Sequence, residues 1–530
     1  MSRVLLVGHG PLPTEKTNQS FAAGQRTWQF ARALVEAKHE VTLVCSRLES
    51  AYQVPQEAIV DYLDQSLGVE RYDVDERTLR GSKFLRGLLT SKRPECLVGA
   101  HTSPSAFLAA LETDLPMWAD LNGHLMAEAQ MKAFTYTNDA YLSHFWELER
   151  AIGIRADVIS VISAPQYYAT LGELGALGRL NQHTVGYPLV RRLTVACPPV
   201  ESLIAPPGPL LRGQIVPEDA FVVLWSGAFN TWTDVPTLFA GLELAMRATP
   251  DLYFVSTGGQ IEGHDDLTYP RFVELVSQSP FRERFVLRGW RPADEVPAHY
   301  ALANVAINLD GRNIEAELGT RTRMLAWALA SLPIASTTIC ELARELDEHD
   351  LLYPLLPGDP DALASALLAA RADGPDRRHA RATAAADYAR QHYHWQTATA
   401  PLVEWCLFPS LAPDRAAERK QLVTDPVARQ ERTAHVLYPG ELERREHVLA
   451  QQLAEAQERE QQLIAEFEFG QARRERQLVA EFTHQIQDRD ATIRNLQATR
   501  LGRIGVQYAR VRDRILGSLR RSSKSRSGAA

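Results

Sequence analysis

The chain begins with one strand–helix–strand unit, written across residues 3–44 as RVLLVGHGPLPTEKTNQSFAAGQRTWQFARALVEAKHEVTLV. The apolar run Val4–Val7 predicts a buried strand, and the residues rich in Gly, Pro, Thr and Asn that follow predict a long loop. From Gly24 apolar residues recur at helical spacing, and Val41–Val44 predicts the next strand. This order and spacing indicate a parallel sheet covered by helices.

The same alternation continues in two blocks that a proline-rich stretch separates. We predict a Rossmann-like domain over residues 1–205, a linker over residues 206–218, and a second Rossmann-like domain over residues 219–412. The predicted fold class is therefore α/β, with two doubly wound domains facing a cleft. In such folds ligands bind in crevices at the carboxyl ends of the strands.

The composition changes after the second block, where Glu, Gln, Arg, Ala and Leu dominate. We predict a linker over residues 413–440, a coiled coil over 441–498, and a basic amphipathic helix with a disordered tail over 499–530. Most apolar spacings in the coiled-coil segment are sums of threes and fours, and Gln462–Phe467 recurs in related form at Gln477–Phe482. A coiled coil predicts a homo-oligomer, and the alternative is a lone helix packed on the rest of the chain.

The positive charge of the chain is concentrated at its end. The whole chain has a net charge of −8, but residues 494–530 hold ten basic residues and one acid, so they carry 10 − 1 = +9 and the rest carries −8 − 9 = −17. Helical spacing places six apolar residues of this segment on one face: Leu501, Ile504, Tyr508, Val511, Ile515 and Leu519. An anionic membrane surface is the predicted partner of this face, and nucleic acid is not. The alternative is a solvated or partner-bound helix.

Three further features bear on location. The chain shows no secretory signal and no run of about 18 apolar residues. Its five cysteines are scattered without a C-x-x-C pair, which favours reduced, buried thiols. We therefore expect a cytoplasmic protein, held peripherally at the inner face of the plasma membrane by the basic tail.

Five stretches in the two blocks carry a family resemblance. They are Gly24–Val44, Asp251–Val255 with Gly258-Gly259, Arg284–Trp290, Tyr300–Asn308 and Leu325–Ser336. In this order they resemble glycosyltransferases of the GT-B fold, and the second block resembles the donor-binding half of family 4 retaining enzymes. The resemblance covers roughly residues 1–410. It implies retaining transfer from a nucleotide-diphosphate sugar to a glycan or lipid-linked acceptor, in cell-surface polysaccharide or glycolipid synthesis. The nucleotide sugar is a co-substrate, and no cofactor is expected.

The resemblance also implies which residues hold the donor. A glycine after the first strand approaches the donor phosphate in the family, and Gly10 and Gly24 are the candidates here. A glutamate-rich loop holds the donor sugar, so Glu317 or Glu315 is expected in this role. The next residues, Gly319 and Thr320, are expected to open a helix whose amides bind the diphosphate. The second glutamate of the family motif is replaced by Ala326.

The family places an Arg and a Lys directly after the first strand of the second block, and this chain has neither. That loop contains Asn230, Thr231 and Trp232, which are expected to face the cleft. We expect Arg321 and Arg323 to supply the missing charge, because guanidinium groups match phosphate oxygens. The alternative is a pair of surface arginines. Trp290 is expected either to stack on the nucleotide base or to belong to the core.

Acceptor-side candidates follow strands of the first block. The resemblance places Asn122 where the family has a histidine, and His124 follows two residues later. Together with Glu317 they are the catalytic candidates, while His101, Asp120 and Glu128 are expected to bind the acceptor; lone histidines are more often structural. The cleft loops contain no Asp-x-Asp motif, so no metal is predicted.

Two other functions remain open at this stage. A nucleotide-sugar epimerase would share the fold but needs neither a membrane tail nor a second substrate. A non-catalytic scaffold would bind a nucleotide sugar and recruit partners through the coiled coil. The absence of the Arg and Lys, together with Ala326, favours the scaffold. Turnover of the donor would exclude it.

Overall fold

The computed structural model describes residues 1–17, 19, 21–52, 57–204, 211–261, 264–415, 450–459, 475–498 and 500–524. Their contacts divide the chain into two units, Met1–Ala417 and Glu418–Ala530, and each is described by itself. Unit 1 contains two β-sheets, and the described part of unit 2 is helical.

The first half of unit 1 is built on an eight-stranded sheet. Its strands are β1 (Arg3–Gly10), β2 (Glu40–Arg47), β3 (Ile59–Asp64), β4 (Val69–Asp75), β5 (Cys96–Gly99), β6 (Met117–Leu121), β7 (Val158–Val161) and β8 (Val190–Arg192). The strand order is β3-β4-β2-β1-β5-β6-β7-β8, and all pairs are parallel except β3 with β4. The described helices of this half are α1 (Ala22–Glu36), α2 (Glu76–Arg80), α3 (Lys83–Lys92), α4 (Thr102–Ala109), α5 (Leu125–Tyr136), α6 (Ala140–Arg155) and α7 (Ala164–Ala176).

The second half is built on a six-stranded parallel sheet. Its strands are β9 (Phe221–Ser226), β10 (Leu252–Thr257), β11 (Phe285–Leu287), β12 (Val305–Asn308), β13 (Ile334–Thr337) and β14 (Tyr353–Leu355), in the order β11-β10-β9-β12-β13-β14. The described helices that follow are α8 (Val235–Ala248), α9 (Thr268–Gln278), α10 (Val296–Leu302), α11 (Ile314–Leu318), α12 (Arg323–Leu329), α13 (Glu341–Glu348), α14 (Pro360–Ala372), α15 (Gly374–His392) and α16 (Trp395–Leu407). The predicted α/β class with two doubly wound domains, the GT-B arrangement, is confirmed.

The strands are apolar because helices cover both faces of each sheet. Val4–Val7 in β1 and Val222–Leu224 in β9 have at most 1% of their surface exposed. Helices that follow strands begin at polar caps: Ser163 accepts a hydrogen bond from the Gln166 amide at the start of α7, and Asp234 accepts one from the Thr237 amide at the start of α8. These caps fix where the chain turns at the carboxyl edge of each sheet.

The last helix of unit 1 returns to the first half of the molecule. We predicted a second domain through residue 412, but Leu402 and Cys406 of α16 pack in the core beneath β1 and β2. The Ser2 hydroxyl donates to the Cys406 carbonyl at 2.7 Å. The second half therefore ends before α16, and the chain crosses between the halves twice.

Unit 2 is helical wherever the structure describes it. Residues 450–459 are helical, and two longer helices follow, α17 (Glu475–Ala498) and α18 (Arg500–Lys524). The predicted repeat at Gln462–Phe467 and residues 525–530 lie outside the described residues, so the coiled coil stays a prediction. Among the described residues, no helix combines the length and the apolar character that a membrane crossing requires.

Candidate functional site

Each sheet has one point where the strand order reverses direction. In the first sheet this point lies between β1 and β5, and in the second it lies between β9 and β12. Loops at the carboxyl ends of such strands diverge and leave a crevice for ligands. The predicted site residues are therefore judged by their positions around these two crevices.

Glycine backbone lines the carboxyl edge of the second sheet. Gly227, Gly258 and Gly289 follow β9, β10 and β11 with φ of +98°, +123° and +62°. The Gly227 amide donates to the Thr257 carbonyl at 2.7 Å, and the Gly258 amide donates to the Gly289 carbonyl at 2.8 Å. A Cβ on Gly258 would lie 2.2 Å from the Gly227 oxygen, so only glycine permits this approach.

Arg323, one of the predicted donor residues, lies beside Gly227 on this glycine edge. Its guanidinium carbon lies 3.6 Å from the position of a Cβ on Gly227 and 4.9 Å from the centre of the Trp225 ring. Nη2 donates to the Ala228 carbonyl at 3.0 Å, while the buried Nη1 has no hydrogen-bond partner. Among the described residues, no carboxylate forms a salt bridge with it. Burial lowers the pKa of Arg323 to about 10; Asp310 opposes this shift, and the nearby Arg321 adds to it.

Arg321 does not supply free positive charge, contrary to its predicted role. Its Nε donates to Asp310 at 2.9 Å, and its Nη2 donates to Glu315 at 2.7 Å. All three side chains are buried. Burial alone would lower the pKa of Arg321, but Asp310 and Glu315 raise it above its ordinary value. Asp310, which directly follows β12, was missed from the sequence because no spacing rule joins it to Arg321.

The predicted sugar-binding glutamates have different surroundings. Glu315 is engaged by Arg321, and burial raises the pKa of its carboxyl to about 7 although Arg321 opposes the shift. Glu317 is exposed on α11. Only Glu317 therefore has a carboxylate that is not bound up in a buried ion pair with Arg321.

The predicted helix opening at Gly319 and Thr320 is wrong. Gly319 caps the carboxyl end of α11, where a Cβ would lie 2.7 Å from the Glu315 oxygen. The next helix, α12, starts only at Arg323. Gly319 and Thr320 therefore form the connection between the end of α11 and the residues Arg321 and Arg323.

The loop after β9 buries two of its polar residues, whereas we predicted that Asn230, Thr231 and Trp232 face the cleft. Asn230 and Thr231 are buried, and the Thr231 hydroxyl has no hydrogen-bond partner. Trp232 lies beneath the Arg321 guanidinium, 5.2 Å from it. Trp290 donates from Nε1 to the Gln260 carbonyl at 2.7 Å, and its ring lies 5.8 Å from that of Phe21 in the first half.

Two histidines flank the crevice of the first sheet. His9 in β1 and His101 after β5 have ring centres 5.2 Å apart with the rings edge to face. Burial and then the neighbouring His101 lower the pKa of His9 to about 3, and burial lowers the pKa of His101. His101 has φ +81°, and its buried Nδ1 has no hydrogen-bond partner. His9 was missed, although it directly follows the apolar run of β1, the same signal that identified His101.

Asp120 was predicted to bind the acceptor, and the structure contradicts this role. It is fully buried, and both carboxylate oxygens accept from Arg26 at 2.8 and 3.1 Å. It also accepts from the Ser160 hydroxyl at 2.6 Å. Arg26 on α1 was missed because its partner lies 94 residues away. The pair braces the first half and leaves the carboxylate no free oxygen.

The remaining acceptor-side candidates separate into two groups. Asn122 follows β6 and has a buried Oδ1 without a partner, and Glu128 on α5 lies 3.7 Å from Nε2 of His264 in the second half. His124 instead caps α5 by accepting from the Ala127 amide, and its Nε2 lies 3.3 Å from Glu173 on α7. Glu128 therefore faces the second half, Asn122 has an unused acceptor at the end of β6, and His124 is engaged by helices of its own half.

The two glycines of the first loop also differ. Gly10 ends β1, where a Cβ would have ordinary contacts with Cys45 and Tyr52 at 3.4 Å. Gly24 lies in α1, where a Cβ would stand 1.9 Å from the Pro11 carbonyl oxygen. Gly24 is therefore required for the helix to pack against the loop.

The two halves touch through residues around the cleft. Lys132 on α5 donates from Nζ to the His264 carbonyl at 2.6 Å, and Ser163 donates to the Leu318 carbonyl at 2.6 Å. The Asp266 amide donates to the Tyr136 hydroxyl at 2.7 Å. These bonds join α5 and the start of α7 directly to the second half, at the end of α11 and at the loop that contains His264 and Asp266.

Buried polar atoms without partners collect at both carboxyl edges. Seven such atoms belong to residues in the last two positions of a strand, in the loop after one, or at the first position of α12: His101 Nδ1, Asn122 Oδ1, Thr231 Oγ1, Ser256 Oγ, Thr257 Oγ1, Arg288 Nε and Arg323 Nη1. A buried polar group without a hydrogen bond costs about 1–3 kcal/mol. Their location at the crevices indicates a site that a polar ligand completes.

Comparisons with known proteins agree on the fold. No family model matches the chain, and no curated protein matches it. Solved structures do match. Sucrose-phosphate synthase from Thermosynechococcus elongatus is 15% identical with a TM-score of 0.58, covering 76% of this chain and 98% of that one. The trehalose-6-phosphate protein from E. coli bound with UDP-2-fluoro glucose is 12% identical with a TM-score of 0.58, covering 77% and 100%.

A third match is the α,α-trehalose-phosphate synthase (UDP-forming) from Burkholderia xenovorans in complex with glucose-6-phosphate. It is 12% identical with a TM-score of 0.55, covering 77% of this chain and 100% of that one. At these identities the likeness shows that this chain shares the fold of these synthases.

Proposed function

We propose that the protein is a retaining glycosyltransferase that uses a nucleotide-diphosphate sugar as donor. The observation that carries this proposal is the half-buried Arg323 beside Gly227, whose buried Nη1 has no hydrogen-bond partner and whose guanidinium forms no salt bridge within the described residues. Removing a cation from water is unfavourable unless an anion compensates it. A diphosphate would supply that anion, and the glycine backbone would let its oxygens approach closely.

Arg323 would replace the Arg and Lys that the resembling family carries after the first strand of this half. Its guanidinium lies beside Gly227 and Ala228, which occupy that loop. The charge would thus come from the start of α12 instead of the loop after β9. Arg321, engaged by Asp310 and Glu315, would hold the neighbouring backbone in place.

The chemistry would rest on electrostatic stabilisation of the leaving diphosphate. Negative charge develops on the phosphate oxygens as the glycosidic bond breaks, and Arg323 is already oriented in a site from which water is largely excluded. In the retaining reaction the acceptor oxygen attacks from the face that the diphosphate leaves. Asn122, His101 and Glu128, on the opposite side of the cleft, would orient the acceptor.

The acceptor class is also part of the proposal. Of the similar structures, one is described in complex with glucose-6-phosphate. We favour a glycan or lipid-linked acceptor for this chain because α18 is basic and amphipathic. Among its described side chains, Tyr508, Val511 and Leu516 are 57%, 38% and 49% exposed. Such a helix would hold the protein at an anionic membrane face, where lipid-linked acceptors reside.

The test of the donor site is nucleotide binding by the full chain and by two arginine variants. UDP, GDP, ADP and the corresponding nucleotide sugars would be titrated by calorimetry against wild type, Arg323→Met and Arg312→Met. Arg312 is exposed on the loop after β12, so it controls for loss of one positive charge. We expect one nucleotide class to bind, with affinity lowered on the order of 100-fold in Arg323→Met and unchanged in Arg312→Met.

Turnover distinguishes the enzyme from its alternatives. Release of the nucleoside diphosphate only in the presence of an acceptor, with the anomeric configuration kept in the product, supports a retaining transferase. Conversion of the donor sugar alone would indicate an epimerase. Nucleotide binding without turnover would support the scaffold, and unaltered binding by Arg323→Met would contradict the proposed diphosphate site.

The tail has its own test. Sedimentation of the full chain with vesicles containing phosphatidylserine is expected at low salt and is expected to weaken as salt rises. Replacing Arg510, Arg512 and Arg514 by Gln removes three charges and should release most of the protein. Vesicles of phosphatidylcholine alone serve as the control, and equal binding to both would contradict an electrostatic anchor.

A further inference from the structure

Three helices of the first half bring together a cluster of ligand-type side chains away from Arg323. His124 caps α5, Glu149 lies on α6 and Glu173 lies on α7. One nitrogen or oxygen atom from each lies within 4.8 Å of the other two. His124 and Glu149 are 25 positions apart and Glu149 and Glu173 are 24 positions apart, so no short sequence motif predicts the cluster.

The distances approach those of a metal site. For metal–ligand distances of about 2.0–2.2 Å, two ligand atoms of a tetrahedral site lie roughly 3.3–3.6 Å apart. His124 Nε2 and Glu173 Oε1 are 3.3 Å apart, which already matches one edge. Glu149, within 4.8 Å of both, needs to approach by about 1 Å, within the reach of a side-chain rotation.

Glu149 provides independent support for a ligand. Its residue is 3% exposed, and neither carboxylate oxygen has a hydrogen-bond partner. A buried carboxyl group aimed at a second carboxylate is unfavourable when ionised, and a dication between them would remove the repulsion.

We propose that His124, Glu149 and Glu173 bind one divalent transition-metal ion of the Zn²⁺ type, with a further coordination position open to water. One imidazole and two carboxylates form a mixed nitrogen and oxygen set, which suits Zn²⁺ better than Mg²⁺. The His124 and Glu173 side chains are 9% and 19% exposed, so an ion has a path from solvent.

The proposal has one structural cost. His124 Nδ1 accepts a 3.2 Å hydrogen bond from the Ala127 amide, so the neutral ring carries its proton on Nε2. Metal ligation through Nε2 moves that proton to Nδ1 and removes the cap of α5. Losing such a cap lowers metal affinity by roughly fivefold, which is small against the affinity of a three-ligand zinc site.

The site would act as a positioning element. It ties the start of α5 to α6 and α7, and Asn122 lies two residues before His124 at the cleft. A bound ion would therefore fix the loop that presents Asn122. It is separate from the diphosphate site at Arg323, and the two can be tested independently.

The experiment uses the full chain stripped with EDTA, then loaded with Zn²⁺ and dialysed. Metal content is measured by mass spectrometry, and thermal unfolding is followed with Zn²⁺, Mn²⁺ or Mg²⁺ added alone. The variants are Glu149→Gln, Glu173→Gln and, as matched control, Glu147→Gln, which removes an exposed carboxylate from the same helix.

We expect one equivalent of zinc in wild type and in Glu147→Gln, with Tm raised by about 5 °C. Glu149→Gln should lose the bound zinc and the rise in Tm, while its Tm in EDTA stays close to that of wild type because neither Glu149 oxygen has a hydrogen bond to lose. If that variant does not fold, Glu173→Gln provides the same comparison. No bound zinc in wild type, an equal response to Mg²⁺, or a Zn²⁺ response kept by Glu149→Gln would overturn the proposal.

Discussion

The arginines at the carboxyl edges of the two sheets differ in how many of their donors are used. At the first edge, Arg26 binds both oxygens of Asp120 and the carbonyls of Leu193 and Thr194. At the second edge, Arg321 is equally engaged, but Arg323, two residues later, keeps one nitrogen without a partner. An arginine whose donors are all used braces a fold, and one whose donors are left over is available to a ligand.

The largest expected effect comes from breaking the engaged pair of the first edge. Asp120→Ala leaves the Arg26 charge buried and unpaired, so we expect a loss of about 3–5 kcal/mol in the free energy of unfolding. The measurement is urea denaturation of the full chain. Glu36→Ala removes the exposed partner of Arg32 and should cost less than about 1 kcal/mol. A loss of less than about 1 kcal/mol in Asp120→Ala would contradict the bracing role of Arg26.

The second prediction compares the two arginines of the second edge directly. Arg321→Met leaves Asp310 and Glu315 buried without their cation and should cost about 3 kcal/mol or more. Arg323→Met removes a half-buried charge that forms no salt bridge among the described residues, so the free energy of unfolding should stay the same or rise. Thermal unfolding of both variants without nucleotide measures the difference. If both variants lose stability equally, the distinction between bracing and ligand-binding arginines fails.

A third prediction concerns the glycines of the two edges. Gly258 and Gly123 both have positive φ, +123° and +140°, but a Cβ on Gly258 meets the Gly227 oxygen while one on Gly123 has no atom within 4 Å. Gly258→Ala combines backbone strain with a clash and should cost about 2–4 kcal/mol. Gly123→Ala carries strain alone, about 1 kcal/mol. Chemical denaturation measures both, and equal losses would show that the close approach at Gly258 relaxes easily.

The last prediction is a pH dependence at Glu315. Its pKa is raised from 4.5 to about 7, so the protonated form favours the folded state. That contribution is complete below pH 4.5 and is lost as pH rises through 7. The stability of Glu315→Gln relative to wild type should therefore rise by about 3 kcal/mol between pH 4.5 and 7.5. Glu317→Gln, exposed on the same helix, should show no such trend in thermal unfolding across these pH values.

The architecture was predictable because the alternation of apolar strands and amphipathic helices is local. The antiparallel pair of β3 and β4 was not predicted, since charged residues interrupt both strands. The return of α16 to the first half was also missed, because helix periodicity does not identify the surface on which a helix packs.

The site was predictable only as a set of loops. Sequence position placed Arg321, Arg323 and Asp120 near the cleft, but their roles depend on partners. Arg26 lies 94 residues from Asp120, and Arg323 lies 95 residues from Ala228. Whether a charge is neutralised or free is decided by such contacts, and no spacing within one segment encodes them.

The hydrogen bonds between the two halves of unit 1 lead to a kinetic expectation. We expect a nucleotide to reach Arg323 only after the bonds from Lys132 to the His264 carbonyl and from Ser163 to the Leu318 carbonyl have opened. Binding must therefore wait for the halves to separate, so the observed association rate should level off at high nucleotide concentration. The plateau would equal the opening rate, and Lys132→Met should raise that plateau without altering the contacts of Arg323.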